Sequence, residues 1–267
     1  MAAGGASIDV AFIPTELTRT QVAIVVDVLR ASSTVVAALA AGYERVLCVD
    51  SVEAAWSLRS PGRALAGERG CRRIEGFDFG NSPGEIAPVP GGELVLCTTN
   101  GTPAIVAAAA RADQVLVGSL LNLDALAAAI PGGVDVTVVC AGTDGRFALE
   151  DAYAAGRIVA RLEGARSDAA LAAERLAGAY GSPLVPLADS ADAAVLKSTG
   201  QEADISYCAQ ESVLAGVPVV QSVRDGVALL CDSKGGTEIE APSGVEQTPS
   251  RASDQSTTPY VTPLTFT

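Results

Sequence analysis

The stretch "QVAIVVDVLRASSTVVAALAAG", residues 21–42, decides the fold class. A run of β-branched residues typical of a buried strand leads through a polar turn at Asp27–Ser33 into an Ala-rich block typical of a helix. Residues 94–110 and 135–162 repeat this plan. Apolar strands that lead repeatedly into helices predict an α/β protein.

The sequence patterns along the whole chain predict one large domain followed by a tail. Residues 1–232 carry the strand and helix patterns, whereas residues 233–267 are rich in Ser, Thr and Pro and predict a disordered tail. Within the domain, residues 64–92 are rich in Gly and Pro and predict a long functional loop. Near the domain's end, "VPVVQSVRDGVALL" predicts a hairpin that turns at Asp225–Gly226.

Composition excludes several classes of function. A net charge of −13 argues against nucleic acid as a partner. No signal peptide and no apolar run long enough to cross a bilayer is visible, so we expect no membrane association. The six cysteines include no CxxC pair, which favours reduced thiols and a cytoplasmic protein. The sequence contains no histidine, so catalysis cannot use phosphohistidine, a Ser-His-Asp triad or His-bound zinc.

The strand-to-helix junctions are suited to binding anions, because a helix N-terminus exposes unpaired N–H groups. Thr98–Thr102 forms either a neutral cradle for an oxyanion or a simple helix cap. Asp27 and Arg30 follow the first strand, where the guanidinium either grips an anion or pairs internally with the carboxylate.

Glu150 and Asp151 follow the third junction, and since neighbours on a helix diverge, we expect only one of them to face a site. Several carboxylates beside three anion-binding junctions predict a magnesium site for a phosphoester.

A rival interpretation rests on Cys140 and Arg146, which have the C-x5-R spacing of cysteine-dependent phosphatases. A reactive cysteine needs a lowered pKa, whereas a thiol at the end of an apolar strand is inert. We favour the inert thiol. A third hypothesis is a binding protein for a small anion, without catalysis.

Four motifs taken together, "VVDVLRASSTV", "LAGERG…GFDFGNSP", "TTNGT" and "CAG…GRFALEDAYAAG", resemble the 2-phosphosulfolactate phosphatase family in order and spacing over residues 8–226. The resemblance implies a three-layer α/β/α fold and a Mg²⁺-dependent phosphatase. Its reaction converts (2R)-O-phospho-3-sulfolactate and water to 3-sulfolactate and phosphate, a step of coenzyme M biosynthesis. The substrate would be a small polyanionic phosphoester, and a homo-oligomer is left open.

Site residues are carried over only from matching motifs. The predicted catalytic residues are Asp27, Arg30 and Glu150. The predicted metal ligands are Asp27, Glu68, Asp78 and Asp151. The predicted substrate-binding residues are Ser32, Ser33, Arg69, Asn81, Ser82, Thr98, Thr99, Asn100, Gly101, Thr102 and Arg146.

Overall fold

A computed structural model describes residues 6–87, 89 and 91–233. The strands are β1 (Ser7–Ala11), β2 (Thr20–Val26), β3 (Arg45–Val49), β4 (Arg63–Arg69), β5 (Arg72–Arg73), β6 (Glu93–Cys97), β7 (Ala112–Gly118), β8 (Val136–Cys140), β9 (Ala165–Arg166), β10 (Pro218–Arg224) and β11 (Val227–Asp232). The helices are α1 (Ala31–Ala40), α2 (Val52–Ser57), α3 (Gly101–Ala109), α4 (Leu123–Ala129), α5 (Leu149–Val159), α6 (Asp168–Gly178), α7 (Leu184–Ala188), α8 (Ala191–Ser198) and α9 (Ala203–Cys208).

All of these strands join one sheet in the order β5-β4-β6-β3-β11-β10-β7-β2-β8-β1-β9. The sheet has two parallel regions, one formed by β4, β6 and β3 and the other by β7, β2, β8, β1 and β9. The hairpin β10–β11 pairs antiparallel to both and joins them. Parallel strands buried on both faces explain the continuous apolar runs of the sequence.

Helices cover both faces of the sheet, which confirms the predicted three-layer α/β/α fold. Side chains alternate along β2: Ala23 and Val25 pack in one cluster with α1 and α3, whereas Ile24 and Val26 pack in another with α4 to α9. The α1–α3 cluster also includes Val46 and Leu94 from the other parallel region. Because β2 and β6 contribute to the same core, their carboxyl ends lie near each other.

The local predictions had mixed outcomes. The hairpin turn at Asp225–Gly226 is confirmed, and both residues have positive φ angles of 49° and 78°. The prediction of a long loop over residues 64–92 is partly wrong, because Arg63–Arg69 forms strand β4, which is buried and pairs with β6. The Ala and Gly residues of this stretch concealed the strand pattern in the sequence. The predicted disordered tail lies outside the described residues, apart from Ser233. Across the described part of the chain, no helix has the length and apolar character needed to cross a membrane.

Candidate active site

The carboxyl ends of β2, β4 and β6 open into a cavity of about 210 Å³. Open α/β sheets bind ligands at this edge. The volume is below the range of about 300–1,000 Å³ typical of drug-sized ligands, which suits a molecule of a few carbons. The lining residues are Asp27, Leu29, Arg30, Glu68, Gly70, Cys71, Asn81, Thr98, Thr99, Asn100, Thr143, Asp144, Asp192 and Val195.

Asp27 is held at the end of β2 by the start of α1. Its Oδ1 accepts a hydrogen bond from the N–H of Ala31 at 3.0 Å, and its side chain is buried. Burial, together with the negative charges of Asp192 and Glu68, raises the pKa of Asp27 to about 7. At neutral pH this carboxyl group is therefore poised between its two protonation states.

Gly101 lies directly against Asp27. A Cβ at position 101 would come within 2.4 Å of the Ala31 Cβ and 2.5 Å of Asp27 Oδ2. Gly101 therefore makes room for Asp27 and Ala31 and lies outside the cavity lining, and its predicted role in substrate binding stays a prediction. Its absent side chain lets the first two junctions meet.

The second junction holds Glu68, which is buried at the end of β4. The N–H and the hydroxyl of Thr99 both donate to Glu68 Oε1 at 2.9 Å, and the N–H of Cys71 donates to Oε2 at 2.9 Å. Three neutral donors fix this carboxylate without neutralising its charge. The hydrogen-bonding capacity of the Thr99 motif is thus used in part by a carboxylate of the protein itself.

A pair of carboxyl groups, Asp192 and Glu150, lies at another part of the cavity. Asp192 lines the cavity and accepts a hydrogen bond from the Thr143 hydroxyl at 2.9 Å, while the buried Glu150 also hydrogen-bonds Asp192. Burial and the charge of Asp192 raise the pKa of Glu150 to about 8. This pair therefore retains a proton at neutral pH. Glu150 lies behind Asp192 and does not itself line the cavity.

Asp151 joins the first and third junctions. Its two carboxylate oxygens accept from the N–H of Val28 at 2.9 Å and from the N–H of Gly142 at 3.0 Å. It is buried and lies outside the cavity lining, so its observed contacts are those of a structural brace. Burial and the charge of Glu150 raise its pKa well above the ordinary value, although the two N–H groups oppose this shift.

Arg30 is buried and pairs with Asp204 of α9, not with Asp27 as the sequence suggested. Its Nη1 donates to Asp204 Oδ2 and to the side-chain oxygen of Gln201. The Ser82 hydroxyl donates to the other carboxylate oxygen of Asp204 at 2.6 Å, so Ser82 also holds the Arg30–Asp204 ion pair in place. The Asp27–Arg30 ion pair, which the sequence left as one of two alternatives, is therefore wrong: Arg30 pairs with Asp204 and lines the cavity.

Two residues that line the cavity each carry a buried polar atom without a hydrogen-bond partner among the described residues: Nη2 of Arg30 and Oδ1 of Asn81. A buried, unpaired polar atom is costly, so such atoms usually meet a ligand or water. One is a cationic donor and the other is a neutral acceptor. Asn81 is a predicted substrate-binding residue, and Arg30 is a predicted catalytic residue.

Several other predicted residues are turned away from the cavity. Arg69 donates to the carbonyls of Glu68 and Asp50, Arg146 is exposed, and Asp78 pairs with Arg59 at 3.3 Å outside the cavity. The hydroxyls of Ser32 and Ser33 donate to the carbonyls of Asp27 and Val28, and Thr98 and Thr102 hydrogen-bond each other across the start of α3. These contacts shape the junctions and leave Thr98, Thr99 and Asn100 as the cavity-lining residues of their motif.

The geometry opposes a nucleophilic Cys140. The thiol is fully buried at the end of β8 and lies outside the cavity lining. Burial and the nearby charges of Asp151 and Glu150 raise its pKa well above the ordinary value. Because a reactive thiol requires the opposite shift, the cysteinyl phosphatase interpretation loses its basis.

Sequence reasoning missed Asp192 and Asp204, which lie in the first turns of α8 and α9. Acidic residues are common there because they complement the helix dipole. The detectable signal was spacing: Asp192 precedes the buried Leu196 by four residues, and Asp204 precedes the buried Cys208 by four. A carboxylate on the apolar stripe of a helix requires a buried partner.

The cavity carries more negative than positive charge. Four carboxylates line it (Asp27, Glu68, Asp144 and Asp192), whereas Arg30 is the lining cation among the described residues and already pairs with Asp204. The described residues contain no group of three or more His, Cys, Asp or Glu side chains arranged to hold a metal ion. The carboxylate, hydroxyl and amide oxygens of this lining suit Mg²⁺, which takes one or two carboxylates, keeps several waters and binds substrate oxygens.

The family model described as 2-phosphosulpholactate phosphatase matches residues 10–223 of the chain. The chain belongs to this family. The match spans the described sheet from β1 to β10 and includes all cavity-lining residues.

Curated relatives with the name "Probable 2-phosphosulfolactate phosphatase" align over most of their length. The protein from Thermus thermophilus is 42% identical over 78% of this chain and 91% of its own. The protein from Thermotoga petrophila is 38% identical over 80% of this chain and 95% of its own. The protein from Deinococcus radiodurans is 40% identical over 74% of this chain and 87% of its own.

Proposed function

We propose that the protein is a phosphatase that hydrolyses 2-phosphosulfolactate to 3-sulfolactate and phosphate. Family membership and the names of the relatives support this activity. The observation that carries it in this chain is the cavity itself, which is small, edged by carboxylates and supplied with an unpaired guanidinium nitrogen. In the reaction, water oxygen bonds to phosphorus, the ester P–O bond breaks and the leaving oxygen receives a proton.

We further propose that Mg²⁺ is the cofactor. Of the predicted ligands, Asp27 and Glu68 line the cavity and would hold the ion, whereas Asp78 and Asp151 have other partners. When bound, the ion offsets phosphate charge and polarises phosphoryl oxygens. Charge balance supports this proposal, because a polyanion entering beside four carboxylates would be repelled without an added cation.

The chain's own groups divide the remaining work. Arg30, fixed by Asp204, offers Nη2 to an anionic group of the substrate. The neutral side chains of Thr99 and Asn100 also line the cavity and add no charge. The proton held by Glu150 and Asp192 lies at the cavity wall, where a leaving oxygen would need one.

The proposal extends to the cellular compartment and the pathway of the protein. All six cysteines are free, which supports a reducing compartment, and we propose the cytoplasm. We also propose a place in coenzyme M biosynthesis, which the family resemblance of the sequence implies.

Phosphate release from phosphosulfolactate tests the function, measured with Mg²⁺, with EDTA and with EDTA followed by excess Mg²⁺. We expect turnover that EDTA abolishes and added Mg²⁺ restores. Turnover that ignores EDTA would overturn the magnesium proposal. Binding of the phosphoester without any release of phosphate would indicate an anion-binding protein instead.

A further inference from the structure

Glu68 lines the cavity with a carboxylate that the fold holds from two sides. Strands β4 and β6 run parallel and end side by side, so Glu68 and Thr99 meet where these strands leave the sheet. On the other side, Gly70 and Cys71 form the two-residue turn between β4 and β5. Their φ angles of 58° and 61° are both positive, as a type I′ turn requires. This turn brings the N–H of Cys71 onto the same carboxylate.

The two oxygens of the Glu68 carboxylate are unequally occupied. Oε1 accepts from both the N–H and the hydroxyl of Thr99, each at 2.9 Å. Among the described residues, Oε2 accepts from the N–H of Cys71 alone, at 2.9 Å. An ionised carboxylate has about four acceptor positions, two on each oxygen. The contacts within the described part of the chain therefore fill Oε1 and leave one acceptor position, which is on Oε2.

The number of oxygens that a carboxylate offers affects Mg²⁺ and Ca²⁺ differently. Mg²⁺ is octahedral, keeps several waters and is bound through one or two carboxylates. Ca²⁺ takes about 6–8 oxygen ligands, and a carboxylate that binds through both oxygens helps it to reach that number. A carboxylate restricted to one oxygen therefore removes a ligand from Ca²⁺ without removing one from Mg²⁺.

We infer that Thr99 makes the cation site of this cavity selective for Mg²⁺ over Ca²⁺, because it occupies Oε1 and restricts Glu68 to a single free oxygen. This inference rests on the proposed function, since it concerns the cation that the proposed phosphatase uses. It makes Thr99 a positioning residue that acts through Glu68, a role different from its predicted one in substrate binding.

Calorimetric titration of the metal-free protein with Mg²⁺ and, separately, with Ca²⁺ tests the inference without requiring turnover. We expect the unaltered protein to bind Mg²⁺ more tightly than Ca²⁺. Thr99→Val keeps the N–H and the shape of the side chain but frees one acceptor position on Oε1. We expect it to lower the preference for Mg²⁺, expressed as the ratio of the two Kd values, at least about fivefold. Thr99→Ser retains a hydroxyl and should keep the ratio of the unaltered protein.

Thr98→Val is the matched control, because the Thr98 hydroxyl contacts Thr102 rather than Glu68. We expect it to leave the ratio unchanged. Equal losses of affinity for both ions in Thr99→Val would show that Thr99 only supports the fold, and would overturn the inference. The same change of ratio in Thr98→Val would also overturn it. Thr99 is exposed, so its substitution leaves no hole in the core. Should Thr99→Val nevertheless not fold, Thr99→Ala removes the same hydroxyl and gives the same test.

The outcomes separate this inference from the proposed function. Binding of Mg²⁺ with an unchanged ratio in Thr99→Val, or a preference of the unaltered protein for Ca²⁺, would overturn the selectivity and leave the phosphatase activity standing. Binding of neither ion by the unaltered protein would overturn both the inference and the magnesium proposal. The phosphatase activity itself is judged by phosphate release, which these titrations do not measure.

Discussion

Two groups of buried charges meet at the cavity, and they differ in how they are balanced. In the Arg30 group, Asp204 supplies the opposite charge, and Ser82 and Gln201 add hydrogen bonds, although Nη2 of Arg30 stays unpaired. In the Asp27 group, the charges of other carboxylates act on Asp27 more strongly than the opposing charge of Arg30, and the fixed donor is a neutral N–H group. The charge of the first group is balanced within the fold, whereas we propose that a cation balances the second. Folding alone therefore accounts for the charge balance of the Arg30 group, and the proposed function is needed to account for that of the Asp27 group.

Removal of one partner from the balanced group has the largest expected effect. Asp204→Asn leaves the buried Arg30 without its countercharge, and breaking a buried pair in this way costs about 3–5 kcal/mol of unfolding free energy. Urea unfolding measures the loss. A change of less than about 1 kcal/mol, the range of an exposed pair, would show that water reaches the Arg30 group.

The second effect concerns activity rather than stability. Asp27→Asn keeps the shape of the side chain and removes a charge from the Asp27 group, so we expect kcat to fall at least about a hundredfold. Asp78→Asn is the matched control, because Asp78 comes from the same family motifs but lies outside the cavity. Equal losses of phosphate release in the two variants would contradict the distinction between a carboxylate that lines the cavity and one that lies outside it.

The outcome at Asp78 illustrates what could be predicted from the sequence. Strand-to-helix periodicity predicted the α/β class and placed Asp27 at the carboxyl end of a strand, where such sheets bind ligands. The three-layer arrangement and the predicted role of Asn81 came from the family resemblance. The direction of each side chain could not be read from motifs: Arg69 lies outside the cavity although its neighbours Glu68 and Gly70 line it, and Asp78 lies outside although Asn81 of the same motif lines it. Asp204 was missed because the pairing of Arg30 spans 174 residues.

Stability without magnesium should fall as the pH rises. The pKa values of Asp27 and Glu150 are raised from 3.8 to about 7 and from 4.5 to about 8. Between the ordinary and the raised values the folded chain binds more protons than the unfolded chain. The stabilising contribution of the two groups is therefore full below about pH 4 and is lost as the pH rises through about 7 to 8.

Thermal unfolding in EDTA between pH 5.5 and pH 8.5 measures this loss as a decrease of several degrees in Tm. Added Mg²⁺ should make this decrease in Tm smaller. The Asp27→Asn substitution should make it smaller even in the absence of Mg²⁺. A Tm that rises over this window in the unaltered protein would contradict the raised pKa values.

The smallest effect on activity is expected at Cys140. Cys140→Ser places a polar atom in the core at the end of β8 and should cost roughly 1–3 kcal/mol of stability. Turnover should stay close to that of the unaltered protein, because the thiol is buried outside the cavity. A folded serine variant without turnover would restore the thiolate mechanism.

Calorimetric titration of Mg²⁺ at pH 7, repeated in buffers of different ionisation enthalpy, tests the central claim most directly. An ion that completes the Asp27 group must displace the protons that burial and like charges retain there. We predict binding that releases protons, with both the release and the affinity reduced in Asp27→Asn and unchanged in Asp78→Asn. Absence of binding, or binding that releases no protons, would contradict the claim that a cation balances the carboxylates of this cavity.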